Sequence, residues 1–367
     1  MAKFQLFRAQ DLNDYMVRFF TKLNVPQKDA ETAAEVLLTA DLRGVDSHGI
    51  IRLNTYYGDR LRKGLIDPLT PVTVLNETAV SLALSGGNGM GQVVSKRAMQ
   101  SCIDKARQSG MAMVTVRNSN HYGIAGYYAM MALQYDMIGI SYTNSQPLVA
   151  PTYGRKALVG TNPIAVAVPT GHERPYVLDM ATSIVPIGRI TVFDKAGKTI
   201  PEGWGIDSDG RVTTNPSAVL KGGALMPLGG IDLMRGYKGY GLGMMVDIFS
   251  GVLSGSAFLG EVGHPVSDNP AANVGHFFAA IRPDIFRPLD EFKASMDAMI
   301  HELKESPKAA GEERIYIPGE KEFERSERHI SEGVPLLVPV VNGLKEAGAQ
   351  IGVEFDLAVL GEKEGEE

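Results

Sequence analysis

Apolar residues at Leu12, Tyr15, Met16, Phe19, Phe20 and Leu23 recur at spacings that bury one face of a helix, and Val25-Pro26 ends the run. A second helix is predicted over 28–42, so the first 65 residues read as helical. Asp67-Pro68 and Thr70-Pro71 then break the pattern and mark a boundary. Beyond it the pattern predicts a strand over 80–84, a glycine-rich turn, a helix over 92–108 and a strand over 111–116, a βαβ-like order. Further strands are predicted over 138–142, 164–168, 177–180 and 277–281, with an amphipathic helix over 124–135. Helical spacing returns at Phe292, Met296, Met299 and Leu303, and a last helical pattern follows Pro335. The fold class is therefore α/β, with a helical domain built from both termini (1–75 with 290–350) around an inserted α/β domain (76–289). Residues 351–367 read as an acidic tail, solvated and disordered, where Glu362, Glu364, Glu366 and Glu367 crowd together.

Composition narrows the function classes. The net charge of -6 over 367 residues offers no basic excess for a phosphate backbone, so no nucleic-acid partner is expected. Cys102 is the single cysteine, which rules out an intrachain disulfide and a cysteine-rich zinc site, and fits a reducing cytoplasm. The first ten residues lack the features of a secretory signal. The apolar stretch 240–258 carries Asp247 at its middle and is diluted by glycine and serine, so it reads as a buried helix rather than a membrane span.

The turn Ser85-Gly86-Gly87-Asn88-Gly89-Met90-Gly91 sits between a predicted strand and a predicted helix, where a dinucleotide fingerprint would lie. Its glycines miss the G-x-G-x-x-G spacing, and the next strand ends in Val116-Arg117-Asn118 with no acid for a ribose hydroxyl. The turn reads as structural, and any nicotinamide site here is of non-Rossmann type.

Four polar clusters carry candidate chemistry. In Asp46-Ser47-His48-Gly49, flanking glycines present an imidazole able to exchange a hydroxyl proton near neutral pH, and Arg52 follows four positions later with a fork that matches a carboxylate. The same residues also suit a plain helix-capping loop. In Asn118-Ser119-Asn120-His121-Tyr122-Gly123, His121 follows a predicted strand and precedes a helix, as a second acid/base candidate or as part of a capping segment. The third cluster joins Gly160-Thr161-Asn162-Pro163 to Leu178-Asp179-Met180-Ala181-Thr182. Asp179 there either orients a histidine, as in a triad, or caps the next element. In the fourth, Lys238 enters an apolar helix across Gly236, Gly239 and Gly241, suited to a phosphate or carboxylate, although helix packing also explains the glycines. Arg189 reads as solvated, with a 2′-phosphate as its alternative partner. No cluster has metal-ligand spacing, and no G-x-S-x-G elbow is present.

Taken together the clusters resemble the type-two malate/L-lactate dehydrogenase family, which also holds sulfolactate and ureidoglycolate dehydrogenases, diketogulonate reductase and a cyclic-imine reductase. The resemblance rests on Asp46-Ser47-His48-Gly49 with Arg52, Ser119-Asn120-His121-Tyr122-Gly123, Gly160-Thr161-Asn162-Pro163, Leu178-Asp179-Met180-Ala181-Thr182, Ile200-Pro201-Glu202-Gly203-Trp204, and Lys238-Gly239-Tyr240-Gly241 followed by Asp247. One departure is residues 231–235, which look like an insertion ahead of Lys238.

The resemblance implies hydride transfer between NAD or NADP and a small 2-hydroxy acid, malate and oxaloacetate above others, in a homodimer. It implies that His48 and His121 are the proton acceptor or donor, with Asp179 beside the active site. Ser47, Arg52 and Thr161 would hold the substrate. Ser145, Asp179, Met180, Ala181, Lys238, Pro318, Gly319 and Glu320 would contact the cofactor. Lactate, sulfolactate, ureidoglycolate, diketogulonate or a cyclic imino acid are alternative substrates on the same scaffold. From other classes, a nicotinamide-binding protein without turnover and a metal-dependent hydrolase remain as readings.

Overall fold

The computed structural model describes residues 2–266 and 272–365. Strand β1 (Ala2–Phe7) leads into α1 (Ala9–Lys22) and α2 (Gln27–Leu42), then a single turn at Asp46–His48, a π-helical segment at Leu53–Gly58 and the short α3 (Asp59–Arg62). Next come β2 (Thr73–Glu77), β3 (Ser81–Ser85), α4 (Gly91–Ser109), β4 (Met111–Ser119) and α5 (Ala125–Met131). They are followed by β5 (Ile138–Thr143), β6 (Ile164–Val168), β7 (Tyr176–Met180) and α6 (Ile187–Lys195). The two-residue strands β8 (Gly205–Ile206) and β9 (Val212–Thr213), helix α7 (Pro216–Leu220) and β10 (Ala224–Leu225) make a small satellite. The chain closes through α8 (Tyr237–Asp247), β11 (Val274–Ile281), α9 (Leu289–Glu305), α10 (Glu320–Glu332), β12 (Val334–Leu337), α11 (Val338–Ile351) and β13 (Val359–Gly365).

The main sheet has the order β2-β3-β4-β11-β5-β6-β7. Only β3 and β4 pair in parallel, across the α4 crossover, and every other neighbour is antiparallel. From these directions β3, β4, β5 and β7 all end on one edge, where β6 and β11 begin. Central β11 is buried almost throughout, because α4 and the helical segment after α8 cover it, whereas β4 alternates. Helix α2 presents small residues on two sides. Val36 and Ala40 join the core beneath the sheet, while Ala30, Ala33, Ala34 and Leu37 join a second core with Leu12, Tyr15, Phe19 and Phe20 of α1 and Val334, Val341 and Leu344 near the C-terminus.

The terminal segments differ from the sequence expectation. Residues 2–7 form a strand, not helix, and the described part of the acidic tail is strand β13, antiparallel to β1 with Lys3 opposite Glu364 and Gln5 opposite Glu362. The reason is cross-strand: Gln5 Nε2 donates to Glu362 at 3.0 Å, and β12 covers the other edge of β1. Glu366 and Glu367 lie outside the described residues. Helix α9 packs against the β6–β7 connection, with Asp297 accepting the N–H groups of Gly171, His172 and Glu173. The apolar stretch 240–258 is helix α8 continuing into a π-helical segment, Ile248–Val252. Among the described residues no helix is long and apolar enough to cross a membrane.

Candidate active site

Two histidines from distant parts of the chain meet face to face. The rings of His48 and His121 lie 5.5 Å apart with planes inclined at 26°. His48 comes from the turn after α2. Buried Asp41 fastens that turn by accepting the N–H of Ile50 at 2.8 Å, and a Cβ at Gly49 would collide with the same carboxylate. Ser47 Oγ is bonded to His48 Nδ1 at 2.8 Å, while Arg52 Nε donates to the Ser47 carbonyl at 2.6 Å and lays its guanidinium 4.4 Å from the Tyr56 ring centre. With Nε committed, the two terminal nitrogens of the fork remain for a ligand carboxylate.

His121 follows β4, and the glycine-rich turn buttresses it. Gly86 and Asn88 donate their N–H groups to the carbonyls of Arg117 and Asn118 at 2.8 Å each, so this turn completes a strand end instead of cradling phosphate. Asn120 Nδ2 reaches back to the carbonyls of Asn88 and Gly89, and Gly91 has no room for a Cβ beneath the carbonyls of Asn120 and His121. The His121 Nδ1 receives the Tyr57 hydroxyl at 2.6 Å and the Gly123 N–H at 3.3 Å, and Tyr56 meets the ring edge-on at 4.9 Å.

Burial dominates the electrostatics. It lowers His48 to about 4, with the charge of Arg52 adding to the effect. His121 falls well below the ordinary histidine range through burial, then through His48, Arg52 and His276. Both rings are therefore neutral near neutral pH. Asp179 is raised to about 6, chiefly because protein packs around its carboxyl, although one face of the residue stays open; the Gly126 N–H and the Arg43 charge oppose the shift and Glu322 adds to it. Perturbed titrating groups gathered in this way are a mark of functional sites.

The other sequence candidates sort clearly. Arg52, Ser47, His48 and His121 form one chain of contacts. Ser145, Thr161 and Asp179 lie at the same sheet edge: Ser145 Oγ bonds the Thr161 hydroxyl at 3.2 Å and its N–H at 3.0 Å, and Asp179 accepts the Gly126 N–H at 2.7 Å. Among the described residues Asp179 makes no hydrogen bond to either histidine, so its carboxylate caps α5, and the triad-like alternative is not realised; hydroxyls occupy the Nδ1 atoms instead. Met180 and Ala181 are half-buried where β7 ends. Lys238 is exposed at the start of α8, with no ion pair among the described residues, and the insertion ahead of it forms a short turn at Asp232–Met234 with Arg235 in the left-handed region at φ 65°. The Pro318 carbonyl accepts the Val177 N–H at 2.9 Å, and Gly319, at φ 93°, lies against Val177, where a Cβ would not fit. The buried Glu320 carboxylate is held by Arg314 at 2.8 Å, Lys304 at 3.0 Å and the Ile317 N–H at 3.1 Å.

Sequence reasoning missed Tyr56 and Tyr57, because the π-helical register at Leu53–Gly58 sets which faces they take. It also missed His276, fully buried on β11, which bonds Thr143 Oγ1 at 2.7 Å and Ser119 Oγ at 2.9 Å and stacks on Tyr122 at 4.6 Å. A polar residue in an otherwise apolar strand was the one available signal. Among the described residues no three His, Cys, Asp or Glu side chains are gathered for a metal.

Residues 7–345 match the family model described as malate/L-lactate dehydrogenase. The chain is 48% identical to the malate dehydrogenase of Pyrococcus abyssi over 94% of both chains, and 36% identical to the L-sulfolactate dehydrogenase of Methanocaldococcus jannaschii over 96% of this chain and 98% of that one. The solved structure of malate dehydrogenase from Pyrococcus horikoshii OT3 superposes with a TM-score of 0.88 at 45% identity, covering 96% of this chain and 97% of the other. With sequence match and fold agreeing over nearly the whole length, the chain belongs to the malate/L-lactate dehydrogenase family.

Proposed function

We propose that this protein interconverts malate and oxaloacetate with NAD or NADP, and that His48, His121 and Arg52 form its substrate site. The observation that carries the reading is the pair of neutral, stacked imidazoles with one guanidinium beside them. Arg52 pairs with the 1-carboxylate through its free fork, the Ser47 hydroxyl holds the His48 ring, and an imidazole exchanges the proton of the C2 oxygen. Thr161 adds a hydroxyl on the substrate side. Substrate binding also aids the proton exchange, because a carboxylate on Arg52 removes the charge that opposes a protonated His48.

The donor set at the sheet edge fits a nicotinamide dinucleotide. Ser145 offers a hydroxyl, Asp179 an open carboxyl, Met180 and Ala181 a strand end, and Lys238 a cation without an ion pair among the described residues, for a phosphate. Pro318 and Gly319 flank β7 at Val177, and Glu320, held by Lys304 and Arg314, fastens their turn through the Ile317 N–H. When bound, the cofactor supplies the two-electron hydride step at C2 of the substrate. The 1–75 and 290–350 segments act as the lobe that brings His48 and Arg52, and the 76–289 segment as the lobe that brings His121. The working form is a cytoplasmic homodimer. A 2-oxo acid such as sulfopyruvate is the second reading, favoured by the sulfolactate relative.

The test is cofactor absorbance with NADH and with NADPH against oxaloacetate, pyruvate and sulfopyruvate. Preference for oxaloacetate is expected. No oxidation of either cofactor with any 2-oxo acid overturns the proposal. Replacing His48 or His121 by Ala should lower turnover by roughly 10²-fold for whichever ring exchanges the proton, and near-normal rates in both variants would remove them from the chemistry.

A further inference from the structure

The hydrogen bonds around the two imidazoles divide their labour. The Nδ1 of His121 faces two groups that carry protons: the backbone N–H of Gly123, which can only donate, and the hydroxyl of Tyr57 at 2.6 Å. A proton on Nδ1 would point at the Gly123 N–H, so that nitrogen holds its lone pair and Tyr57 donates to it. The neutral ring then carries its proton on Nε2, the nitrogen with no partner among the described residues. Tyr57 is itself fixed: it is fully buried and packs edge-on against Phe20 at 6.2 Å. His48 differs, because its Nδ1 meets one hydroxyl, Ser47 Oγ, which can accept as well as donate. Its Nε2 is therefore free to carry a lone pair.

We propose that Tyr57 is a positioning residue that, together with the Gly123 N–H, locks His121 as the Nε2–H tautomer, making His121 a hydrogen-bond donor to the C2 oxygen of the substrate and leaving proton acceptance to His48. This inference rests on the functional reading above. In the oxidative direction the hydroxyl proton passes to His48 Nε2, the O–H electron pair becomes the second C2–O bond, and the C2 hydrogen leaves with its electron pair for the oxidised cofactor. His121 keeps its proton throughout and stabilises the charge that gathers on oxygen. A neutral imidazole held away from protonation by its surroundings is a known electrophile of this kind. The charged and titrating groups that face the pair are Arg52, Tyr56, Tyr57 and His276, and Arg52 lowers both rings while supplying no proton acceptor.

The test is two-bond ¹H–¹⁵N correlation on ligand-free protein labelled at histidine nitrogens, with the His121 signals identified by their loss in His121→Gln. The wild-type ring is expected to show a protonated Nε2 and an unprotonated Nδ1. In Tyr57→Phe only the longer Gly123 N–H bond at 3.3 Å still favours the lone pair on Nδ1, so the pattern should move part of the way toward a mixture of tautomers, and kcat should fall about threefold to tenfold, the worth of one hydrogen bond, with KM little changed. A wild-type ring protonated at Nδ1 overturns the proposal, as does an unaltered pattern in folded Tyr57→Phe. Should the variant fail to fold, the wild-type spectrum still overturns the proposal if Nδ1 carries the proton. The two readings separate cleanly: the expected tautomer without turnover of any 2-oxo acid removes the functional reading, and turnover with the opposite tautomer removes the role of Tyr57.

Discussion

Acid should weaken this fold through a histidine that touches no substrate. The His276 ring lies in the middle of the sheet, fully buried between Ser119 and Thr143 and flat against Tyr122, and burial holds its pKa at about 3. An exposed histidine titrates near about 6.5. The folded-state value is depressed, so the neutral ring contributes stability that is intact above about pH 6.5 and is lost as the pH falls toward about 3. The slope is about 1.4 kcal/mol per pH unit for one proton, which amounts to about 3 kcal/mol by about pH 4.5. His276→Gln keeps an amide able to bond one of the two hydroxyls and does not titrate. It should be less stable near neutral pH, by about 1 to 3 kcal/mol for a lost hydrogen bond and lost stacking. Its loss of stability between about pH 6.5 and pH 4.5 should be shallower than that of the wild type by one proton. Urea unfolding followed by circular dichroism across that range reads both quantities. Parallel pH dependences in the two proteins would refute the reasoning, since they would mean that His276 is protonated alike in the folded and unfolded chain. Because Ser119 ends β4 two residues before His121, the variant should also lower turnover more than its stability loss near neutral pH explains.

Arg52→Lys should raise the KM for the 2-oxo acid about 10- to 100-fold with a smaller effect on kcat. An ammonium cannot form the fork, and it leaves the Ser47 carbonyl without its 2.6 Å donor; initial-rate kinetics check this, and an unchanged KM would move the carboxylate elsewhere. Gly91→Ala should cost about 1 to 3 kcal/mol and depress turnover together, because the new methyl meets the carbonyls that carry His121; thermal unfolding with parallel kinetics would contradict this if either stayed at the wild-type level. Asp179→Asn removes a group titrating at about 6, so any step in cofactor affinity near that pH should vanish in the variant, as measured by fluorescence titration.

The sequence by itself determined the elements whose periodicity is carried by local burial. The α1 face of Leu12, Tyr15, Met16, Phe19 and Phe20 and the strand Ile164–Val168 are both where the pattern puts them. The residues of the candidate site were also legible, because imidazole, guanidinium and carboxylate beside glycine turns at strand ends have few cheaper uses. Only the tertiary structure decided which of them meet. Nothing local says that His48 and His121 stack, since 72 intervening positions separate them and the contact exists only because α2 packs on α4 while the 86–91 turn clamps Asn120. Strands β1 and β13 were hidden for the same reason: a strand that owes its stability to a partner from the other end of the chain carries little signal of its own. The tautomer of His121 is likewise a property of neighbours, fixed by a hydroxyl and an amide that folding brings within bonding distance, and the neutrality of His276 follows from a burial that only the folded sheet provides.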